Sequence, residues 1–279
     1  MEPISPSAPV APPPPRRSFL FGGLLGGAAG LVGGAGGLAA AKPPGWAWSP
    51  KPVPLAEPAP AMPNEAKPSY AQFGEDIVAA GLLASVRVEK PTYLDVGAYD
   101  PVASNNTYLF YTRGARGVLV EPNVAYTDRL KSVRPGDTVL AAGIGVTDAT
   151  EADYYVLTAD QLNTFDKAQV EHLERTTEHR LVRVVKTPLL NINRVIADHF
   201  GGAAPDFLSV DIEGLDLAVL RTLDFGRFRP KVVCVETLVT GTLAHRPELS
   251  QLFAEKGYEL RGLTFPNALF MDKRVLNKA

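Results

Sequence analysis

The sequence predicts an α/β fold, a doubly wound and mainly parallel sheet with helices on its faces and a closing β-hairpin. Three observations lead to this prediction. Short apolar runs with strand character alternate with helix-length segments along residues 69–279. Several of these runs end on an acid or a glycine, at the position where an open parallel sheet forms its ligand crevice. Near the end of the chain, a Pro-Asn turn at 266–267 joins two strand-like segments.

The predicted elements follow in order along this domain. The first is an amphipathic helix over residues 70–83 that covers the sheet, with Glu75 and Asp76 on its polar face. Predicted strands are 92–97, 117–121, 138–142, 153–157, 181–186, 207–211 and 232–236. Predicted helices are 108–114, 124–133, 166–177, 191–200, 215–223 and 247–256, and the closing hairpin pairs 258–263 with 268–271.

The first predicted strand ends in the segment 93–101, which carries Asp95 and Gly97. About 26 residues after Asp95, the second strand ends on Glu121. An acid at the end of the second strand is placed to accept hydrogen bonds from both hydroxyls of a ribose bound across the first turn. Together these features predict a nucleoside site.

The turn after Gly97 indicates which nucleoside. A dinucleotide fold needs G-x-G-x-x-G, because the pyrophosphate must lie against bare backbone at a helix N-terminus. Here Ala98, Tyr99, Asp100 and Pro101 follow the glycine. A carboxylate in this turn would repel a pyrophosphate, but it is compatible with the sulfonium and amino groups of S-adenosylmethionine. A strand that ends in a glycine turn without any ligand is the alternative, because Asp-Val-Gly alone is a weak motif.

Composition narrows the class of protein and its partners. With 46% hydrophobic and 21% charged residues, the chain fits one globular domain plus extra segments. The net charge of −2 gives no electrostatic footprint for nucleic acid, so small or neutral substrates are favoured. The single cysteine, Cys234, lies in an apolar run and is predicted to be a buried core residue.

Residues 1–68 are predicted to lie outside this domain. Residues 1–17 are rich in proline, predicted to be disordered, and end in two arginines. Residues 18–41 are uncharged and long enough to span a bilayer, although many are glycine. Residues 42–68 form a Pro-rich linker.

The paired arginines with the following Gly/Ala/Leu run resemble a twin-arginine export signal that ends in Ala-Ala-Ala. An uncleaved membrane anchor and a leader of no consequence are the alternatives. Residues 16–41 therefore favour export or membrane association through 18–41, and the protein is cytoplasmic if this leader has no function.

Four acids fall at the ends of predicted strands: Asp95, Glu121, Asp211 and Glu236. Carboxylates gathered on one rim are unfavourable unless they are solvated, paired or near a cation, and a sulfonium-bearing ligand would relieve that cost. Glu213 comes two residues after Asp211, on the same side of an extended segment. A glycine then permits the turn into the next helix.

Several segments resemble the FkbM family of S-adenosylmethionine-dependent methyltransferases. They are Gln-Phe-Gly-Glu-Asp at 72–76, Asp-Val-Gly-Ala-Tyr-Asp-Pro at 95–101, Ser-Asn-Asn-Thr-Tyr at 104–108, Arg-Gly at 116–117 with Glu-Pro-Asn at 121–123, and Asp-Phe-Leu-Ser-Val-Asp-Ile-Glu-Gly at 206–214. The resemblance covers about residues 70–273. It implies a Rossmann-like class I methyltransferase sheet whose closing hairpin inserts an antiparallel strand. It also implies methylation of a hydroxyl on a sugar, polyketide or similar small molecule.

The resemblance also assigns roles to residues of this chain. Asp95 and Gly97 match the cofactor turn, Glu121 matches the ribose-binding acid, and Asp211 and Glu213 match the family's D-x-E-G segment. Asp95, Gly97, Glu121 and Asp211 are thus expected to bind S-adenosylmethionine. Asp211 or Glu213 is the best-placed general base for the acceptor hydroxyl. A hydroxyl-binding or divalent-metal role for this pair, or a helix-start role for Glu213, stays open, and no metal is assigned.

Two other functions stay open from the sequence. One is a nucleoside- or S-adenosylmethionine-binding module that has lost catalysis. The leader favours it, because this cofactor is made in the cytoplasm and an exported enzyme would have no supply. The other is a nicotinamide oxidoreductase, which the missing G-x-G-x-x-G disfavours.

Overall fold

The structure is a computed structural model that describes residues 67–239 and 244–276. The predicted N-terminus 1–17, the signal-like segment 18–41 and nearly all of the linker 42–68 lie outside the described residues. Within the described part of the chain, no helix has the length and hydropathy needed to cross a membrane.

Seven strands form the central sheet. They are β1 (Tyr93–Val96), β2 (Gly117–Val120), β3 (Thr138–Leu140), β7 (Phe207–Val210), β8 (Val232–Glu236), β9 (Tyr258–Leu263) and β10 (Asn267–Asp272). Their order is β3-β2-β1-β7-β8-β10-β9. The first five in this order run parallel, and β10 is antiparallel to both of its neighbours. The predicted mainly parallel sheet with an antiparallel strand inserted by the closing hairpin is therefore confirmed.

Helices separate the strands along the chain. They are α1 (Glu75–Ser85), α2 (Tyr108–Thr112), α3 (Val124–Val133), α4 (Lys167–Thr176), α5 (Ile192–His199), α6 (Asp216–Thr222), α7 (Pro247–Glu255) and α8 (Lys273–Leu276). The buried apolar residues fall into two main clusters. One joins Leu94 and Val96 of β1 to α5, α6 and α7, and the other joins Tyr93 to α1 and α2. Because side chains alternate along a strand, the two clusters lie on opposite faces of the sheet.

Three further strands form a separate sheet in the order β4-β6-β5. They are β4 (Gly143–Ile144), β5 (Glu151–Leu157) and β6 (Leu181–Leu190). The sequence predicts β5 and β6 as strands of the doubly wound sheet, but the two pair antiparallel with each other outside that sheet. The hydrophobic pattern identifies a strand without identifying its partner, which explains this error. A 3₁₀ turn at Asp160–Leu162 follows β5.

The first helix differs from its prediction in its buried face. Glu75 and Asp76, predicted on the polar face, are fully buried, whereas Phe73 lies before the helix and is 51% exposed. Asp76 accepts a hydrogen bond from Ser69 Oγ at 2.6 Å, and Glu75 accepts one from Thr264 Oγ1 at 2.6 Å. Buried carboxylates are tolerated when donors satisfy their oxygens, so these two acids belong to the interior.

Candidate active site

The predicted site acids lie at the carboxyl ends of the parallel strands, which form what we call the crevice rim. Strand pairing aligns Val96 with Val120 and with Val210, so the turns that follow β1, β2 and β7 meet at this rim. Side chains two residues apart on a strand lie on the same face of the sheet. The acids at this rim therefore lie on the face that carries the apolar cluster around α1 and α2. These acids are Asp95, Glu121, Asp211 and Glu236.

Glu121 directly follows β2 and is almost fully buried. One carboxylate oxygen accepts the backbone N–H of Tyr99 at 2.9 Å, and the other accepts that of Asn123 at 2.8 Å. Burial raises the pKa of Glu121 to about 7, and the two backbone N–H groups oppose that rise. Each carboxylate oxygen can accept a second hydrogen bond, so both keep capacity for a ligand hydroxyl.

Asp95 lies one residue before the end of β1, beneath the cofactor turn. Its Oδ2 accepts a hydrogen bond from Thr107 Oγ1 at 2.7 Å, and the fully buried Arg134 donates to the same hydroxyl at 3.0 Å. Burial raises the pKa of Asp95, while Thr107 and Arg134 lower it. This geometry holds Asp95 rigidly under the turn, and its contact with the cofactor stays a prediction.

Gly97 has a left-handed backbone with φ of 85°. A Cβ at this position would lie 1.8 Å from the carbonyl oxygen of Asp211. The backbone N–H of Asp211 also donates to Val96 O at 3.0 Å. The cofactor turn therefore packs backbone against backbone on the end of β7, and only glycine fits there.

Asp211, Glu213 and Glu236 form what we call the carboxylate triad. Each offers a carboxylate oxygen, and the three oxygens all lie within 4.8 Å of one another. Burial raises the pKa of each of the three, and the neighbouring carboxylates raise it further. The structure therefore brings the predicted pair together with Glu236, which the sequence places at a strand end but does not assign to the site.

The turn that carries Glu213 is held from two sides. Glu213 has a φ of 52°, a left-handed conformation that is uncommon outside glycine. Asp216, in the first turn of α6, accepts the backbone N–H groups of Ile212 at 3.0 Å and Gly214 at 3.2 Å. Thr164 Oγ1 donates to the carbonyl of Glu213 at 3.0 Å. Sequence reasoning missed Asp216, although an acid in the first turn of a helix is a recognisable signal.

Tyr154 of β5 and Asn163, which follows the 3₁₀ turn, lie near the rim. The pKa of the buried Tyr154 hydroxyl is raised first by burial and then by nearby charges, those of Glu121 and Glu213 among them. Asn163 is 8% exposed, and its Oδ1 accepts the backbone N–H of Leu157 at 2.7 Å. Asn163 also lies close enough to the Tyr154 hydroxyl to lower the pKa of that group. No local sequence pattern marks these two residues, because their position depends on non-local pairing.

These residues fit S-adenosylmethionine. Glu121 retains acceptor capacity for the two ribose hydroxyls, and Gly97 leaves bare backbone for a close approach. The triad provides negative charge that favours a sulfonium cation.

Three solved methyltransferase structures are similar to this chain at low sequence identity. The ribosomal protein L11 methylase of Lactobacillus delbrueckii subsp. bulgaricus is 12% identical with a TM-score of 0.36, covering 70% of this chain and 76% of that one. The 1,6-didemethyltoxoflavin-N1-methyltransferase of Burkholderia thailandensis, with bound S-adenosylhomocysteine, is 12% identical with a TM-score of 0.37, covering 71% and 76%. The magnesium protoporphyrin IX methyltransferase of Synechocystis PCC 6803, with bound S-adenosylmethionine, is 7% identical with a TM-score of 0.37, covering 71% and 77%. No curated protein matches the sequence.

The family match is more informative than these structural similarities. The methyltransferase FkbM domain matches residues 95–260, which is more than half of the chain. The matched region begins at Asp95 and includes Glu121 and the whole carboxylate triad. It favours methyl transfer over the nicotinamide oxidoreductase that the sequence left open. The chain therefore belongs to the FkbM methyltransferase family and is an S-adenosylmethionine-dependent methyltransferase.

Proposed function

We propose that this methyltransferase acts on a hydroxyl group of a sugar, polyketide or similar small molecule. The observation that carries the proposal is the carboxylate triad, which lies at the crevice rim beside the cofactor turn. A hydroxyl must lose its proton when it is methylated, and a carboxylate with a raised pKa is a suited acceptor for that proton. Burial and, after it, repulsion from neighbouring carboxylates raise the pKa of each triad acid in this way.

The reaction needs positioning as well as proton transfer. When bound, S-adenosylmethionine supplies a methyl carbon on a positively charged sulfur, so that transfer forms an O–C bond, breaks a C–S bond and leaves neutral S-adenosylhomocysteine. Asp211 and Glu213 hold the acceptor hydroxyl, and one of them takes its proton. The buried Tyr154 side chain lies near Glu121 and Glu213, where it would help to exclude water from the crevice. Holding the oxygen in line with the methyl carbon supplies most of the acceleration.

The electrostatics of the site support a small acceptor without phosphates. The rim gathers four carboxylates, and the whole chain carries a net charge of −2. Such a surface repels a polyanion, so nucleic acid is a poor partner for this crevice.

The proposed function is tested by methyl transfer to matched acceptors. The purified chain is incubated with labelled S-adenosylmethionine and a panel of sugars and polyketide alcohols, each paired with its deoxy analogue that lacks one hydroxyl. We expect a methyl ether on at least one alcohol and no product on its deoxy partner, measured by mass spectrometry. Label that appears only on amine or thiol acceptors of the same panel would contradict O-methylation.

Glu121 should control cofactor affinity. Glu121→Ala is expected to weaken binding of S-adenosylhomocysteine by about 1.5–3 kcal/mol, because charge-assisted hydrogen bonds to ribose are lost. Isothermal titration calorimetry measures this change. Affinity equal to that of the wild type would show that Glu121 does not bind the ribose.

The pKa of Glu121 adds a pH dependence to this binding. Because that pKa is raised to about 7, the carboxyl becomes protonated and loses acceptor capacity as the pH falls through 7. Since the ionised form binds ribose better, affinity should drop by about tenfold between roughly pH 8 and pH 6. Glu121→Gln cannot titrate and is the control, with affinity that stays flat over this range. An equally steep pH dependence in the Gln variant would assign the titration to another group.

The export hypothesis for residues 16–41 has its own test. If Arg16 and Arg17 address the chain to a twin-arginine exporter, replacing both by Lys should keep the protein in the cytoplasm at its full-length mass. Cell fractionation and mass spectrometry measure both properties. Fractionation that does not differ from the wild type would remove the export hypothesis and leave the membrane anchor or a leader without function.

A further inference from the structure

We propose that the carboxylate triad, together with the amide oxygen of Asn267, binds a divalent metal ion. The three carboxylate oxygens lie within 4.8 Å of one another. Oxygen ligands of one such ion lie at about 2.0–2.6 Å from it, so two of them are separated by at most about 5 Å. The triad therefore has the spacing of a preformed ligand set made of oxygen, which Mg²⁺, Mn²⁺ and Ca²⁺ prefer.

The triad differs in its hydrogen bonding from the buried acids Glu75 and Asp216. Glu75 receives donors from Thr264 and Asn267, and Asp216 receives two backbone N–H groups. Among the described residues, no hydrogen bond or ion pair reaches a triad carboxylate. The charge of Arg246 acts on Glu236 only from beyond ion-pair distance. Three neighbouring carboxylates that accept no hydrogen bond and form no ion pair leave room for a cation.

Asn267 gives a second, independent observation. It is 2% exposed, and its side-chain oxygen has no hydrogen-bond partner among the described residues. Asn267 lies directly opposite Glu236 in the pairing of β10 with β8. Side chains opposite one another in an antiparallel pair stand on the same face, with Cβ atoms about 5 Å apart. Asn267 Nδ2 donates to Glu75 Oε1 at 3.0 Å, so the amide oxygen is the side-chain atom that remains available to a ligand.

The metal site adds a step to the proposed function. The position of the acceptor hydroxyl at this site rests on that proposed function. A divalent ion lowers the pKa of an oxygen that binds it, so the acceptor hydroxyl would lose its proton more readily. Each acid needs one oxygen for the ion, which leaves the second oxygen of Glu213 to take that proton. The methyl carbon then forms its bond to the deprotonated oxygen as the C–S bond breaks. No oxidant or further reactant is needed.

Metal binding is tested without cofactor or acceptor, so its result is separate from methyl transfer. The full chain, treated with chelator and desalted, is titrated with Mn²⁺ near neutral pH by calorimetry and by electron paramagnetic resonance. We expect one saturable site and a rise in Tm on addition of Mn²⁺. Glu236→Gln should weaken Mn²⁺ binding by at least about tenfold, because the charge of the ligand set tunes its affinity. The matched control is Glu178→Gln, the same change at an exposed residue, which should bind Mn²⁺ like the wild type.

The metal-free stability of Glu236→Gln separates ligand loss from misfolding. Removing one repelling charge should leave its Tm without metal equal to or above that of the wild type, while the rise on addition of Mn²⁺ disappears. No saturable Mn²⁺ binding in the wild type, or wild-type affinity in Glu236→Gln, would overturn the metal site. A chain that methylates alcohols without binding Mn²⁺ would overturn the metal site alone. A chain that binds Mn²⁺ but methylates no alcohol would contradict only the proposed function.

Discussion

Glu213→Gln is expected to lower kcat by about 100- to 10,000-fold, the range that a general base contributes. Glutamine keeps the size of glutamate and removes most of its basicity. It adds no branch at Cβ, so the left-handed backbone at this position, with φ of 52°, should persist. Affinity for S-adenosylhomocysteine should barely change, because the lost interaction is made in the transition state. Single-turnover rates and calorimetry measure the two quantities.

Two controls make this result interpretable. Glu178→Gln makes the same chemical change at an exposed position and should keep wild-type kcat. Asp211→Asn tests the other member of the predicted pair, and a chelator tests the contribution of a metal ion. If Asp211→Asn and Glu213→Gln both retain near-normal turnover with chelator present, neither acid is catalytic and positioning alone provides the rate.

The elements that carry the site were predictable because their signals are local. The apolar run of β8 has its predicted bounds, Val232–Glu236, because a strand buried on both faces reads as continuous hydrophobic sequence. The helix α3 also begins and ends as predicted, at Val124–Val133. Asn123 lies before its first turn and accepts the backbone N–H of Ala125 at 3.1 Å. Asparagine is a preferred N-cap residue, so the start of this helix can be recognised in the sequence.

The errors concern contacts between distant parts of the chain. The helical pattern placed Glu75 on a solvent-facing side of α1, but its donors Thr264 and Asn267 lie 189 and 192 residues further along the chain. A local window cannot contain those donors, so the buried carboxylate looks like a surface residue. The antiparallel pairing of β5 with β6 was missed for the same reason, since their strand pattern specifies no partner.

The site itself was predicted in part. The sequence identified Asp211 and Glu213 through their position after a strand, and it placed Glu236 at another strand end. Joining them requires the register of β7 with β8, in which Val210 pairs with Val235 and the next residues therefore become neighbours. The triad thus follows from the sheet order, whereas the approach of Asn163 depends on the small sheet and carried no sequence signal.

A substitution at Gly97 tests the close packing of backbone on backbone at the crevice rim. Its backbone lies so close to Asp211 that an added Cβ would sit 1.8 Å from that residue's carbonyl oxygen. The obstruction is backbone, so no side chain can rotate away to relieve it. Gly81 in α1 offers the opposite case, because no atom outside its immediate neighbours lies within 4 Å of a Cβ built there.

Gly97→Ala is therefore expected to lower the free energy of unfolding by roughly 2–5 kcal/mol, the sum of a left-handed non-glycine backbone and an overpacked contact. The end of β7 must move away to make room, which displaces Asp211 and should abolish measurable binding of S-adenosylhomocysteine. Urea unfolding and calorimetry measure these effects. Gly81→Ala makes the same change in an open helical position and should be neutral or stabilise the protein by up to about 1 kcal/mol. If Gly97→Ala binds S-adenosylhomocysteine and unfolds like the wild type, the close packing of the cofactor turn on Asp211 is wrong, and the position of the triad relative to the cofactor must be revised.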